Sequence, residues 1–226
     1  LGVMAPVYPD GFIFATGRFI GKEKKGKWFS SPKLRKLLPP EERGNWLNYL
    51  QVCIRIARAI RKLHFTGLAH SDLSSNNVLV DPPSGRCCVI DIDSLVVPGK
   101  FPPDVMGTPG YIAPEVIKTQ HLKIGDQFRQ LPRKETDLHA LAVLIYEYLL
   151  RRHPLKGPKV NSAVSAEEDE RLSMGDKAIF IENPHDTSNR PMDGLDVKYT
   201  DLGPADGQYL PRLFHQAFVD GLDQPQ

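Results

Sequence analysis

The chain has no apolar run approaching the length of a membrane span, so no function that needs a spanning helix is expected of it. Its first residues, "LGVMAPVYPDG", carry neither a basic leader nor a long apolar core, and no signal peptide is read there. An excess of one charge is also missing. The 29 Lys and Arg against 27 Asp and Glu leave a net charge of +2, which predicts no general nucleic-acid affinity and leaves open only a local basic patch. Cysteine is scarce: three residues, two of them adjacent as Cys87-Cys88, make no disulfide framework. The plainer reading of that pair is two small apolar residues in a strand rather than metal or redox work, and a reducing cytoplasm fits. No internal repeat is visible. What remains is 226 residues of ordinary composition for a soluble globular protein, enough for one large domain or two small ones.

Along the chain, "LGVMAPVY" reads as a strand that Pro6 ends. "FIFATGRFIGKEKKGKW" reads as a hairpin or a mobile loop, with Lys22, Lys24, Lys25 and Lys27 on a solvated tip. "SSPKLRKLL" predicts a short helix with Ser31 as N-cap and Pro32 at the first helical position, stopped by Pro39-Pro40. Residues 41–64 carry the strongest helical signal, with Trp46, Leu47, Leu50, Ile54, Ala57, Ile60 and Leu63 at helical spacing. Gly67 ends that helix. Short strands are expected over 78–80 and 88–90 around the turn "DPPSGR". Residues 91–115 read as an extended loop. "ETDLHALAVLIYEYLL" predicts a second helix, apolar nearly all round and so buried. "SAEEDERL" and "YLPRLFHQAFVDGL" are later helices in a polar, loop-rich region. "IFIENPHDTSNRP" within it reads as an ordered surface loop, with His185 a surface histidine.

The unusual stretch is "HSDLSSNNVLVD", where hydrogen-bonding groups crowd immediately before a strand. Acids at the ends of apolar strands are costly unless they pair or hold a cation. Asp91, in "VIDID", and the side-chain oxygen of Asn77 form an all-oxygen set that suits magnesium. Asp72 stands apart and could orient a hydroxyl and accept its proton. The alternative is that Asp72, Ser74 and Asn77 only satisfy turn backbone.

The order H-x-D-L-x-x-x-N, two strands, D-x-D, "GTPGYIAPE" and a buried helix beginning with Asp resembles the C-terminal lobe of a eukaryotic-like, bacterial-type serine/threonine protein kinase. The resemblance implies an α+β, protein-kinase-like fold over residues 1–226. Residues 1–10 would be the end of the N-lobe and the hinge, and 11–226 the helical C-lobe without its final helix. It implies ATP and Mg2+ as cofactors and a protein substrate. Asp72 would be the catalytic base, Asn77 and Asp91 the metal ligands, and Ser74 and Thr108 further members of the catalytic loop and substrate groove. Met4 would lie near the gatekeeper, with Ala5 to Val7 meeting the adenine and Leu79 lying beneath it. His70, Glu115 and Asp137 would be structural supports.

The departures from the family pattern are Ser71 for the H-R-D arginine, Ser74 for the phosphate-contacting lysine, and D-I-D for D-F-G. Ile92 is expected to keep the apolar packing. Asp93 is expected to pair with a basic group, the alternative being a further metal ligand. Arg190 is a candidate partner for Glu115. With Ser71 present and Pro98, Pro102, Pro103 and Pro109 in the segment, the activation loop is expected to order without phosphorylation. The glycine-rich loop and its lysine are expected outside these residues. Two other readings stay open: a pseudokinase or scaffold, favoured by Ser71, Ser74 and Asp93, and a RIO-like atypical kinase, which "GTPGYIAPE" opposes. Bacterial kinases with such segments occur with phosphatases or stress-response partners, and the resemblance extends that expectation here.

Overall fold

The strongest helical signal forms α3, Trp46–Phe65, which starts later than the spacing suggested. Pro40–Glu42 makes only a single 3-10 turn, and Gly44 takes a left-handed φ of 61°. Asn45 therefore becomes the N-cap. The Asn48 N–H donates to its side chain at 3.0 Å, and the Asn45 N–H donates to the Asn48 side chain at 2.8 Å. The structure, a computed structural model, describes residues 8–100, 106–123, 125–192, 194–203 and 207–223. The expected strand over "LGVMAPVY" lies almost wholly outside them.

The buried stripe of α3 is Tyr49, Val52, Cys53, Ile56 and Ile60. This corrects the predicted stripe, because Trp46, Leu47 and Ile54 are 44%, 58% and 45% exposed. Both stripes keep helical spacing. The helix is apolar over a broad arc, and only its packing against residues Lys134–Leu150 and Arg86–Val89 selects which part is covered. Helix α5, Lys134–Leu150, is buried on most sides, as its composition predicted, and closes with Arg151 in a left-handed conformation.

Strand β1, Val78–Asp81, pairs antiparallel with β2, Arg86–Val89, in the register Val78↔Val89 to Asp81↔Arg86. Val78 and Val80 face the main core. A third segment lies on the free edge of β1: the Val80 N–H donates to Lys24 O at 2.9 Å and the Gly26 N–H to Val78 O at 2.8 Å. A Cβ on Gly26 would stand 2.0 Å from the Tyr148 hydroxyl and 3.0 Å from Ser75 O, so this close approach requires glycine.

The segment leading there is a hairpin, with Phe14 N–H bonded to Lys22 O and Lys24 N–H to Phe12 O. Lys22 and Lys27 are exposed, as expected of a tip. Lys24 is not: it is 5% exposed, with Nζ 2.6 Å from Glu42 and 3.5 Å from Asp81, and it sits over the Phe14 ring. The turn folds back onto β1 and buries the lysine stem, and the two carboxylates compensate the ammonium.

Two short helices, α1 at Lys27–Ser30 and α2 at Pro32–Arg35, lead to α3. Ser31 caps α2 as predicted, accepting from the Leu34 N–H. After α5 come α6, Ala166–Ser173, capped by Ser165, and α7, Tyr209–His215, which runs on as a π turn. The "IFIENPHDTSNRP" stretch is a surface loop only in part. Phe180, Ile181, Glu182 and Asn189 are buried, Phe180 against the Tyr146 and Phe218 rings. Asn189 donates to Leu155 O and Ile179 O and accepts from the Lys159 N–H, stitching three loops. His185 is exposed, as expected. Among the described residues no helix is long and apolar enough to cross a membrane.

Candidate active site

Helix α3 delivers the chain to His70 through a turn at Thr66-Gly67. Asp137, in the first turn of α5 and 1% exposed, receives it there. Its carboxylate accepts from the His70 N–H at 2.7 Å and the Ser71 N–H at 3.0 Å, and lies 2.9 Å from His64 Nε2. A buried carboxylate needs such a set of donors. His70 is fully buried, its Nε2 facing Ile90 O at 3.0 Å. Thus α5, the loop and the residue before Asp91 are joined.

Both carboxylate oxygens of Asp72 are engaged. Thr108 donates to one at 2.6 Å, and the Asn77 amide donates to the other at 2.9 Å and to Asp72 O at 2.8 Å. The side chain is held in one orientation while each oxygen keeps a further lone pair. With its amide nitrogen so used, Asn77 has its side-chain oxygen left to accept or ligate. The Ile90 N–H donates to Asn77 O at 2.9 Å, which places Asn77 beside the residue that precedes Asp91. Asp91 is exposed and left-handed, with φ 63°. One carboxylate and one amide oxygen fit magnesium, which takes few protein ligands together with substrate phosphates. No group of three or more His, Cys, Asp or Glu able to hold a metal occurs among the described residues.

Other predicted residues fall differently. Ser74 is fully buried and turns inward: its hydroxyl accepts from the Asn76 N–H and lies against the Thr108 hydroxyl, both at 3.3 Å, so it braces the loop. Leu79 is also fully buried and offers no open surface to a base. Ile92 is 64% exposed because the 3-10 turn after left-handed Asp91 swings it outward. Asp93 is exposed and has no ion pair among the described residues. Arg190 donates to Asn183 O at 2.9 Å instead of reaching Glu115. Glu115 is half-buried in the first turn of α4, Pro114–Thr119. Burial raises its pKa, and Arg133, not noticed in the sequence, is the nearby positive charge that opposes this. Met4, Ala5 and Val7 lie outside the described residues, as do Pro102 and Pro103.

The end of the segment, 107–111, is held by partners that no local pattern signals. His153 Nε2 meets Gly110 O at 2.8 Å while its Nδ1 accepts from the Leu155 N–H. The Gly110 N–H faces Met174 Sδ at 3.0 Å, and the Tyr111 hydroxyl donates to Glu147 at 2.5 Å. Burial raises the Glu147 pKa to about 7, opposed by the Tyr111 hydrogen bond and the Lys156 charge. Burial lowers His153 to about 3 and His139 to about 4.

These shifts set opposite pH responses. Glu147 holds its proton more tightly in the folded state. Its contribution to stability is present below its unfolded pKa and is lost as pH rises through about 7. The two histidines resist protonation when folded, so their contribution is lost as pH falls below the unfolded histidine range. Glu147→Gln removes the first effect alone. Its stability relative to the unmodified protein is expected to improve by on the order of 2–3 kcal/mol between pH 5 and pH 8. Urea denaturation at both pH values checks this, and a difference independent of pH would refute it.

A family model described as "Protein kinase domain" matches residues 35–198. The chain is 26% identical to serine/threonine-protein kinase ULK1 of Homo sapiens over 177 residues, 74% of this chain and 15% of that protein. It is 30% identical to rhodopsin kinase grk7-b of Danio rerio over 146 residues, 64% of this chain and 24% of that protein. It is 39% identical to serine/threonine-protein kinase D2 of Rattus norvegicus over 70 residues, 29% of this chain and 8% of that protein. The chain thus spans 24% or less of the length of each of these relatives. The solved structure of the Cydia pomonella granulovirus kinase PK-1 shares its fold at a TM-score of 0.52 and 20% identity, covering 86% of this chain and 61% of that one.

Proposed function

The chain belongs to the protein kinase family, and on that premise we propose that it transfers the γ-phosphoryl group of ATP to a serine or threonine hydroxyl of a protein substrate. The hydroxyl oxygen attacks phosphorus, the bond to the ADP oxygen breaks, and Asp72 takes the hydroxyl proton. Thr108 and Asn77 keep Asp72 aimed while this happens. Asn77 and Asp91 would hold magnesium, whose contribution is to neutralise charge on the nucleotide phosphates. Asp137 and His70 hold the loop backbone, and Glu115 closes the segment. Residues 1–10 remain our assignment for the hinge, with Met4 and Ala5 to Val7 at the adenine. Leu79, assigned beneath the adenine, is fully buried. Three free thiols suit a reducing cytoplasm.

The observation that carries this reading is the pair of hydrogen bonds that occupies both oxygens of Asp72. A turn-forming Asp would satisfy local backbone N–H groups instead. The second reading, a binding scaffold without chemistry, rests on Ser74, a buried and uncharged residue two positions after the base.

The test is transfer from labelled ATP by the full-length protein with magnesium, to itself and to a generic protein acceptor. Magnesium-dependent transfer that disappears in Asp91→Ala is the expected result. Nucleotide binding without any transfer would decide for the scaffold.

A further inference from the structure

We propose that Ser94 is a positioning residue: together with Ser71 it latches Asp91 to the catalytic loop by hydrogen bonds. The inference rests on the kinase reading and assigns a role to two residues outside its chemistry.

The Ser94 hydroxyl lies 2.9 Å from His70 O and 3.0 Å from Asp91 O, so its single proton is shared between the residue before Ser71 and the metal-site acid itself. In return the Ser71 hydroxyl donates to Ser94 O at 2.5 Å. Two residues on, Ala69 and Val96 exchange backbone bonds of 3.0 and 2.9 Å, extending the join. Ser71 is 9% exposed, and its own N–H is held by Asp137. The join thus runs from α5 through Ser71 and Ser94 to Asp91.

Backbone strain marks the same place. Among the described residues, Ser71, Asp91 and Arg151 are the non-glycine residues with positive φ, and two of the three are the residues that Ser94 joins. A left-handed conformation is disfavoured for any residue other than glycine and persists only where the surroundings hold it. The strain at Ser71 aims its hydroxyl at Ser94 O, and the strain at Asp91 turns its carbonyl toward the Ser94 hydroxyl. Neither side of the latch carries charge, so a phosphate has no role in closing it. A negative group on Ser94 would be opposed. It would set acceptor oxygens against two carbonyls that need a donor, in a segment that already carries Asp91 and Asp93.

The test uses Ser94→Ala, Ser94→Thr and Ser94→Asp in the full-length protein. Magnesium dependence is read twice, by transfer and by calorimetric binding of ATP. Ser94→Ala is expected to raise the half-saturating magnesium concentration about tenfold, as loss of an outer partner of a metal ligand does. The kcat at saturating magnesium should stay within about twofold of the unmodified protein. Amide exchange at Val96 and Ala69 should quicken in the same variant. Ser94→Thr keeps the hydroxyl and restores the magnesium dependence, whereas Ser94→Asp weakens it further. A purely structural serine would lower stability without moving the magnesium term. Unchanged magnesium dependence of binding in Ser94→Ala, or higher turnover in Ser94→Asp, overturns the latch. If the unmodified protein binds magnesium and ATP but transfers nothing, the kinase reading fails while the calorimetric series still decides the latch. If it binds neither, both fall.

Discussion

Asp72→Asn is expected to lower phosphoryl transfer by about 10³-fold while nucleotide affinity stays within about twofold. The amide has the size of the carboxylate and can keep both neighbours: its oxygen can accept from Asn77, and its nitrogen can donate to Thr108, which then donates onward to Ser74 at 3.3 Å. What it cannot do is take a proton from an attacking hydroxyl. The loss should therefore fall on kcat and spare binding. Single-turnover transfer beside calorimetric binding of ATP separates the two. A variant that kept a tenth of normal transfer would remove Asp72 from the base role and leave only positioning to it.

The second large effect is on folding. Asp137→Ala should destabilise the protein by about 3–5 kcal/mol, a large part of the stability of an ordinary domain. The carboxylate is 1% exposed and receives the His70 and Ser71 N–H groups and His64. Truncation to a methyl removes the acceptor that those donors share. Asp137→Asn retains one acceptor oxygen but sets an N–H2 against the remaining donors, so its loss should be intermediate. Chemical denaturation of the three proteins gives the order. A loss under about 1 kcal/mol for Asp137→Ala would mean that the loop backbone finds other partners.

Several features needed nothing beyond the chain's local order. Ser31 and Ser165 cap their helices because a hydroxyl reaches an N–H three residues on. The β1–β2 hairpin follows from apolar strand formers on either side of "DPPSGR", with Gly85 left-handed at its end. The burial of α5 follows from its composition, and Asp72 and Asn77, five residues apart, are joined by a side-chain hydrogen bond of 2.9 Å. These depend on contacts within a few residues, which a sequence displays directly.

Partners distant in sequence were decided only by the tertiary structure. Ser71 meets Ser94, Tyr111 meets Glu147, and Gly110 meets His153 and Met174, across 23 to 64 residues of chain. Nothing in "YEYLL" or "RRHPL" announces that its Glu or His will steady a loop forty residues earlier. Lys24 belongs to the same class. Beside Lys22, Lys25 and Lys27 it reads as one more solvated charge, and only the folding of its hairpin onto β1 brings Glu42 and Asp81 to it. The stripe on α3 is the clearest instance. Residues on two overlapping arcs satisfy the same helical period, and local sequence has no term that prefers one. The position of α5 buries Tyr49, Val52, Cys53 and Ile56 and leaves Trp46 and Leu47 in water. Periodicity determines that a helix has an apolar side; which part of it is covered depends on where the neighbouring elements pack, and that is settled only when the whole chain has folded.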